Sequence, residues 1–198
     1  MPSNAPAQSA TLLTELASLL DAAGLQTGDA IETRFRKDWY APLGAVPPLA
    51  VVRPRNTEEV AAVLTLCNRL RQPVVPQGGL TGLAGAATPE GGEVVLSLER
   101  MRGVEEIDAQ AGTMTVMAGT TLQAAQEAAR AAGWLLAVDL GARGSCQIGG
   151  NIATNAGGNR VIRYGMMRDQ VLGLEAVDRK STRLNSSHLK LSRMPSSA

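Results

Sequence analysis

The chain has 198 residues, enough for one core of ordinary size or two small lobes and too few for a complete two-domain enzyme. Hydrophobic residues make up 44% of it but aromatics only 3%, so the core has to be assembled from Ala, Val, Leu and Ile, which suits close helix-on-strand packing. The formal charge is +1, and with the basic C-terminal stretch set aside the body is mildly acidic; a nucleic-acid or anionic-membrane surface needs a basic patch to displace counterions, so both are excluded as partners.

Leu12, Leu13, Leu16, Leu19, Leu20 and Ala23 share one helical face with Gly24 as a stop, which predicts an amphipathic helix over Ser9 to Ala23. Ile31 to Pro48 is a Pro- and Gly-containing approach segment with Trp39 and Tyr40, and a short strand, Leu49 to Arg53, opens the globular unit. Asn56 with Glu59 makes an N-cap pattern, after which Val60, Val63, Leu64, Cys67 and Leu70 repeat at the helical period as far as Arg71. Pro73 to Pro76 is a strand running into a glycine cluster, so strand, helix, strand and loop predict a βαβ unit with parallel strands. Glu93 to Leu98, Val104 to Asp108 and Thr113 to Ala118 read as sheet with an antiparallel hairpin turning at Ala111-Gly112. Thr120 and Gln123 cap a helix over Leu122 to Ala132, ended by Gly133, and Leu135 to Val138 and Val171 to Val177 are the remaining strands. The fold class is therefore α+β, with a parallel beginning and an antiparallel continuation.

From Asp178 the composition changes to DRKSTRLNSSHLKLSRMPSSA, which has neither helical nor strand period and holds the only histidine, His188. DRKSTRLNSSH and SRMPSSA are admissible translations of parts of a high-throughput sequencing adapter, so residues 178–198 are read as a non-native tail and excluded from fold reasoning. The organisation expected is an N-terminal helix and approach segment over 1–45, a globular domain over 46–177, and that tail. Cys67 and Cys146 are too far apart to suggest a metal or disulfide framework. The first 33 residues carry no Lys or Arg, as a secretory or transit leader would, and no apolar run approaches the ~20 residues of a membrane helix, so the expected location is cytoplasmic.

Two glycine loops carry the functional reading. In the first, PQGGLTGLAGAA (Pro76 to Ala87), glycines at 78, 79, 82 and 85 let backbone N–H groups approach an anion such as the pyrophosphate of a dinucleotide, and Thr81 adds a hydroxyl. The chain has neither a GxGxxG fingerprint nor a glycine-lysine pair, which removes the nicotinamide-type Rossmann and P-loop readings. In the second, DLGARGSCQIGGNIATNAGGNRVIRYG (Asp139 to Gly165), Gly141, Gly144, Gly149, Gly150, Gly157 and Gly158 lie among Ser145, Ala153, Thr154, Asn155 and Ala156, a surface that admits a large flat ring. A stretch of this length without a packing pattern is uncommon unless it is functional.

RPRNTEEV, VVPQGGLTGLAG, the second loop and the following VLGLEAV resemble the PCMH-type FAD-binding domain shared with vanillyl-alcohol oxidase and p-cresol methylhydroxylase, in the branch of D-2-hydroxyglutarate and D-lactate dehydrogenases. The resemblance spans roughly Trp39 to Val177. It implies that Pro76, Gln77, Gly78, Gly79, Leu80, Thr81, Gly82 and Leu83 line the ADP and pyrophosphate end of FAD. It implies further that Asp139, Leu140, Gly144, Ser145, Ile148, Gly149, Gly150, Thr154, Asn155, Gly157 and Gly158 surround the ribityl and ring end. Relatives that tether FAD through histidine carry it after a glycine pair in the first loop, where Leu80 stands here. Cys146 lies where some relatives carry a cysteinyl attachment, but as a buried thiol it is read as inert, so non-covalent FAD is expected. Arg163 reads equally as a phosphate or carboxylate contact and as a surface ion pair, and neither it, Arg160 nor Tyr164 is assigned to catalysis.

The family's reaction passes a hydride from C2 of a D-2-hydroxy acid to flavin N5, with the base, metal ligands and carboxylate clamp in a C-terminal cap domain. No catalytic residue or metal ligand is therefore assigned to this chain, which is expected to be inactive by itself. The resemblance leaves open the electron acceptor, which hydroxy acid is oxidised and the oligomeric state, of which a homodimer is one reading. Two other readings stand beside it: an FAD-binding subunit whose cap comes from another chain, and another superfamily enzyme such as a glycolate oxidase subunit, an alkyl-dihydroxyacetone-phosphate synthase or a UDP-N-acetylmuramate reductase.

Overall fold

A computed structural model describes residues 5–39, 46–178, 183–190 and 192–193. The chain divides into two compact units, Met1–Arg100 with Val177–Arg183, and Met101–Ala176 with Leu184–Ala198.

In the first unit, helix α1 (Ala5–Leu19) packs on α2 (Thr57–Arg69), and strands β1 (Leu25–Thr27), β2 (Ala50–Val52), β3 (Val74–Gln77) and β4 (Val94–Ser97) form one sheet in the order β1-β2-β4-β3. β1 is antiparallel to β2, while β2 and β3 both run parallel to β4. The expected βαβ pair thus gains a strand in its middle: β4, placed by the sequence pattern with the later hairpin, lies between β2 and β3. Every residue of β4 is buried, as a central parallel strand requires, and its uninterrupted apolar run gives no alternation from which to assign a partner. Ile31, Phe35, Val51 and Val95 form the core under this sheet, with Val75 packed against them.

Helix α2 starts where expected because the Asn56 side chain accepts from the Glu59 amide at 2.8 Å, and it buries Val60, Val63, Leu66 and Cys67. At ~1.5–3 kcal/mol for each large apolar side chain, this face is what fixes the helix on the sheet. Helix α1 ends at Leu19 rather than Ala23. The following turn is diverted by Asp21, whose carboxylate receives two 2.8 Å bonds from Arg100. Within the approach segment Thr33–Arg36 forms a 3-10 turn that buries Phe35; Trp39 is exposed, and Tyr40 lies outside the described residues.

In the second unit β5 (Val104–Asp108) and β6 (Thr113–Val116) make the expected antiparallel hairpin, with Gly112 at φ 65° in the turn. Helix α3 (Leu122–Ala131) is capped by Thr121, which accepts from Ala124 N at 3.3 Å, and not by the expected Thr120. Thr120 is buried and its hydroxyl instead pairs with both backbone groups of Gly103. Of the expected strand over Leu135 to Val138, only Trp134–Leu135 (β7) is laddered; Leu136, Ala137 and Val138 are buried without a strand partner. Helices α4 (Ile148–Ala153), α5 (Val161–Tyr164) and α6 (Met167–Gln170) follow, then β8 (Val171–Val177). The stretch read as a pattern-free loop is therefore partly helical, because its small residues permit close packing of short turns.

The residues excluded as a tail form β9 (Arg183–Lys190) and β10 (Ser192–Arg193); β9 pairs with β6 through Thr113↔Lys190 and Met114↔Leu189, and β10 pairs with β7. The core of this unit is Met114, Leu122, Ala125, Ala129, Leu136, Val138, Cys146, Ile148 and Met167. Among the described residues, no helix is long and apolar enough to cross a membrane.

Candidate functional site

The first glycine loop leaves the end of β3. Successive strand residues face opposite sides, so Pro76 is exposed while Gln77, on the same face as Val75, is buried beside Phe35. The Gln77 Nε2 donates to Phe35 O at 3.0 Å and to Ala87 O at 2.7 Å, and its Oε1 is buried without a partner. Beyond it Leu80 adopts φ 57°, the left-handed conformation from which anion-binding backbone concavities are made. Among the described residues, the amides of Gly79, Leu80, Thr81 and Gly82 donate to no protein acceptor. A Cβ placed on Gly82 would meet nothing within 4 Å, and Leu83 is 68% exposed. The loop thus offers unused donors beside open space.

The second loop is knitted to itself. Asp139 O accepts from Asn159 N at 3.0 Å, Asp139 bridges Gly158 in parallel register, and its carboxylate lies 3.6 Å from both Arg143 and Arg160. Gly158 has φ 105°, and a Cβ there would fall 2.1 Å from Asp139 O, so the approach of these two backbone segments requires glycine. Gly149 N donates to Ala118 O at 2.8 Å, and its Cβ would be 2.9 Å from that of Ala118; the missing side chain seats α4 on the chain beyond β6. Ile148 is a core side chain and Leu140 packs against that core.

Asn155, at φ 48°, accepts from Arg168 N at 3.0 Å through Oδ1, while the Thr154 hydroxyl donates to Gly150 O at 2.8 Å. Added Cβ atoms at Gly144 and Gly157 would sit 3.2 Å from Gln123 Oε1 and 3.0 Å from Val161 Cγ2, whereas Gly150 has nothing within 4 Å and Ser145 is exposed. The side chains of Asp139, Ile148 and Asn155 are committed within the protein, and so are backbone groups of all three: Asp139 O accepts from Asn159 N, Ile148 N donates to Thr120 O and Asn155 N donates to Ile152 O. Neither the core role of Ile148 nor the packing role of Gly149 was legible, because the glycine-rich composition masks the helix that carries both.

Cys146 is 3% exposed in the core of the second unit, 3.6 Å from Asn151 Nδ2, and burial pushes its thiol above the ordinary cysteine range, so it is no ready nucleophile. Near the end of the motif a cavity of about 500 Å³ is lined by Leu135, Asn159, Arg160, Ile162, Arg163 and Tyr164. None of the expected cofactor-binding residues lines it. The Arg163 guanidinium stands 5.3 Å from the Tyr164 ring centre, and among the described residues it has no carboxylate partner.

Residues 48–187 match the family described as FAD binding domain. The chain belongs to the FAD binding domain family. A D-2-hydroxyglutarate dehydrogenase of Xanthomonas citri pv. viticola is 46% identical over 168 residues, covering 83% of this chain and 35% of the relative. The mitochondrial D-2-hydroxyglutarate dehydrogenase of Bos taurus is 46% identical over 135 residues, 68% of this chain and 25% of its own length. A putative mitochondrial D-lactate dehydrogenase of Schizosaccharomyces pombe is 39% identical over 160 residues, covering 81% and 30% respectively. The chain thus spans about a third or less of the curated relatives it matches. Among solved structures, an alkyldihydroxyacetonephosphate synthase superposes with a TM-score of 0.85 at 18% identity, over 94% of this chain and 41% of that one. A grass pollen allergen, Phl p 4, with glucose dehydrogenase activity gives 0.81 at 17%, over 93% and 44%. These likenesses show the α+β PCMH-type fold.

The cofactor of an FAD binding domain is FAD, and the residues present fit it. A dinucleotide needs a place where its diphosphate meets backbone donors with no side chain between. The unpartnered amides from Gly79 to Gly82 and the open Cβ position of Gly82 meet that requirement in the first unit. In the second unit Ser145 is exposed, and Gly150, half-buried, has nothing within 4 Å of an added Cβ.

Proposed function

We propose that this protein works as an FAD-dependent oxidoreductase that oxidises the CH–OH group of a D-2-hydroxy acid, of the 2-hydroxyglutarate, lactate or glycolate type. The observation that carries this reading is the 46% identity with proteins named D-2-hydroxyglutarate dehydrogenase. When bound, FAD would supply the hydride-accepting redox chemistry. This chain's part is binding and orientation. Pro76, Gln77, Gly78, Gly79, Leu80, Thr81, Gly82 and Leu83 form the loop assigned to the ADP and pyrophosphate end. Asp139, Leu140, Gly144, Ser145, Ile148, Gly149, Gly150, Thr154, Asn155, Gly157 and Gly158 form the loop assigned to the ribityl and ring end. Backbone amides do the binding in the first loop, where a fixed donor array needs no rearrangement when the anion arrives.

FAD is held without a covalent bond. Leu80 offers no nucleophile, and the Cys146 thiol is buried. A cytoplasmic location and a homodimeric assembly are part of the proposal, checked by cell fractionation and by light scattering. The test has two parts: this chain is titrated with FAD, and the protein joined to its catalytic cap domain is offered D-2-hydroxyglutarate, D-lactate and glycolate with an artificial electron acceptor. Dye reduction with one of these acids and acid-extractable flavin are expected; a colourless protein, or oxidation of none of the three, contradicts the reading.

A further inference from the structure

We propose that Gln77 is a positioning residue that holds the first glycine loop in its cofactor-accepting shape without touching the cofactor. The inference rests on the reading of that loop as the diphosphate-binding part of the FAD site. Gln77 is 2% exposed, at the last position of β3, and its two amide N–H bonds each have a separate acceptor. Phe35 O belongs to the 3-10 turn under the sheet, and Ala87 O belongs to the far end of the loop. One side chain therefore ties the loop's exit to its entrance and both to the core. The amide orientation is not interchangeable, because turning it would set Oε1 against two carbonyl oxygens. The buried Oε1 without a partner destabilises this arrangement, and the two donated bonds offset that effect.

The loop needs such a tie. Gly78, Gly79, Gly82 and Gly85 give the segment from 78 to 86 an unusually large number of accessible conformations. Its own backbone contributes the bond from Thr88 N to Gly85 O, while among the described residues the amides from Gly79 to Gly82 have no acceptor. Amides that must stay unpaired to bind an anion cannot fix their own positions. The fixing has to come from outside the loop, and the Gln77 carboxamide supplies it at the chain position where the loop closes. Ordering the loop before the ligand arrives removes that part of the entropy loss from binding.

Three forms of the full chain test this: wild type, Gln77→Met, which keeps the size and loses both donors, and Gln77→Glu, which replaces the donors with a carboxylate. FAD affinity is read by quenching of flavin fluorescence between pH 5.5 and 8. Losing two hydrogen bonds predicts binding weaker by roughly ten- to hundredfold in Gln77→Met, with no dependence on pH beyond that of the wild type. Gln77→Glu is expected to bind as weakly at pH 8 and to recover several-fold as the pH falls. A buried carboxyl facing two carbonyl oxygens has its pKa raised, and once protonated it donates one of the two bonds. Wild-type affinity in both variants, or a Gln77→Glu profile parallel to that of Gln77→Met, overturns the proposal.

A cofactor-free readout separates its failure from failure of the FAD reading. Elastase cleavage between Leu80 and Ala87 is expected to accelerate by about fivefold or more in Gln77→Met, with helix α2 remaining uncut. Equal cleavage in the wild type, or simultaneous cleavage throughout the unit, overturns the tie even if FAD binds. A wild type that binds no FAD while the loop cleaves as predicted overturns the loop's assignment and leaves the tie standing.

Discussion

The two glycine loops differ in what fills the space their missing side chains leave. In the second, Gly149 and Gly158 are occupied by the protein's own backbone and side chains, at 2.9 Å from Ala118 Cβ and 2.1 Å from Asp139 O for an added Cβ. In the first, Gly82 faces nothing within 4 Å and, among the described residues, neighbouring amides have no acceptor. We propose that similar compositions serve different ends here: glycines that let the chain approach itself, as at Gly149 and Gly158, and glycines that leave room for a ligand, as at Gly82. Gly150 belongs with the second kind although it lies in the second loop.

The largest effect that sharpens this contrast is on folding. Gly158→Ala combines a φ of 105° with a Cβ inside a carbonyl oxygen, and is expected to destabilise the second unit by about 3 kcal/mol or more, read by urea unfolding. Gly149→Ala, which asks only that α4 move off Ala118, should lose about 1–3 kcal/mol. Substitution of Gly82 by Leu is expected to reverse the pattern, with the free energy of unfolding changed by less than ~0.5 kcal/mol and FAD affinity reduced at least about tenfold. Equal destabilisation at Gly82 and Gly158 would erase the distinction.

Acid acts on the first unit through its charged pairs. Hydrogen bonding by Arg100 holds the Asp21 carboxyl down at about 2, and Arg34 holds Glu32 at about 2. Both folded-state values lie below the ordinary carboxylate range, so the stability from these pairs is present above that range and is lost as the pH falls toward 2. Thermal melting of Arg100→Gln against pH should show a weaker loss in that window than the wild type. The smallest effect concerns residues 178–198: β9 lies between β6 and β8 and β10 pairs with β7, yet we propose from their composition that they are appended to the fold. Their removal is expected to change stability by less than about 1 kcal/mol and FAD affinity not at all.

Much of the fold was legible where capping and periodicity agree. Asn56 and Glu59 announced α2, and Ala111-Gly112 announced the β5–β6 turn. The position of β4 was not, because a strand buried on both faces has no alternation to betray its partners. Helix α4 was hidden for a related reason: Ile148, Gly149 and Gly150 carry too little side-chain pattern to show a helical period, and the packing against Ala118 that stabilises the turn is distant in sequence. The cofactor loops were visible as composition, but composition could not say which glycines face a ligand. Gln77 was legible as a loop residue but not as a buried donor, although its place two residues after Val75 on one strand face carried that signal.

The central claim is that the first loop's unpaired amides, next to the side-chain-free position at Gly82, receive the diphosphate of FAD. Calorimetric titration of the full chain and its Gly82→Leu variant with FAD, alongside their melting temperatures, tests it most directly. The account predicts one FAD bound per wild-type chain and at least about tenfold weaker binding by a variant that melts at the same temperature. Undiminished binding by the equally stable variant would contradict it.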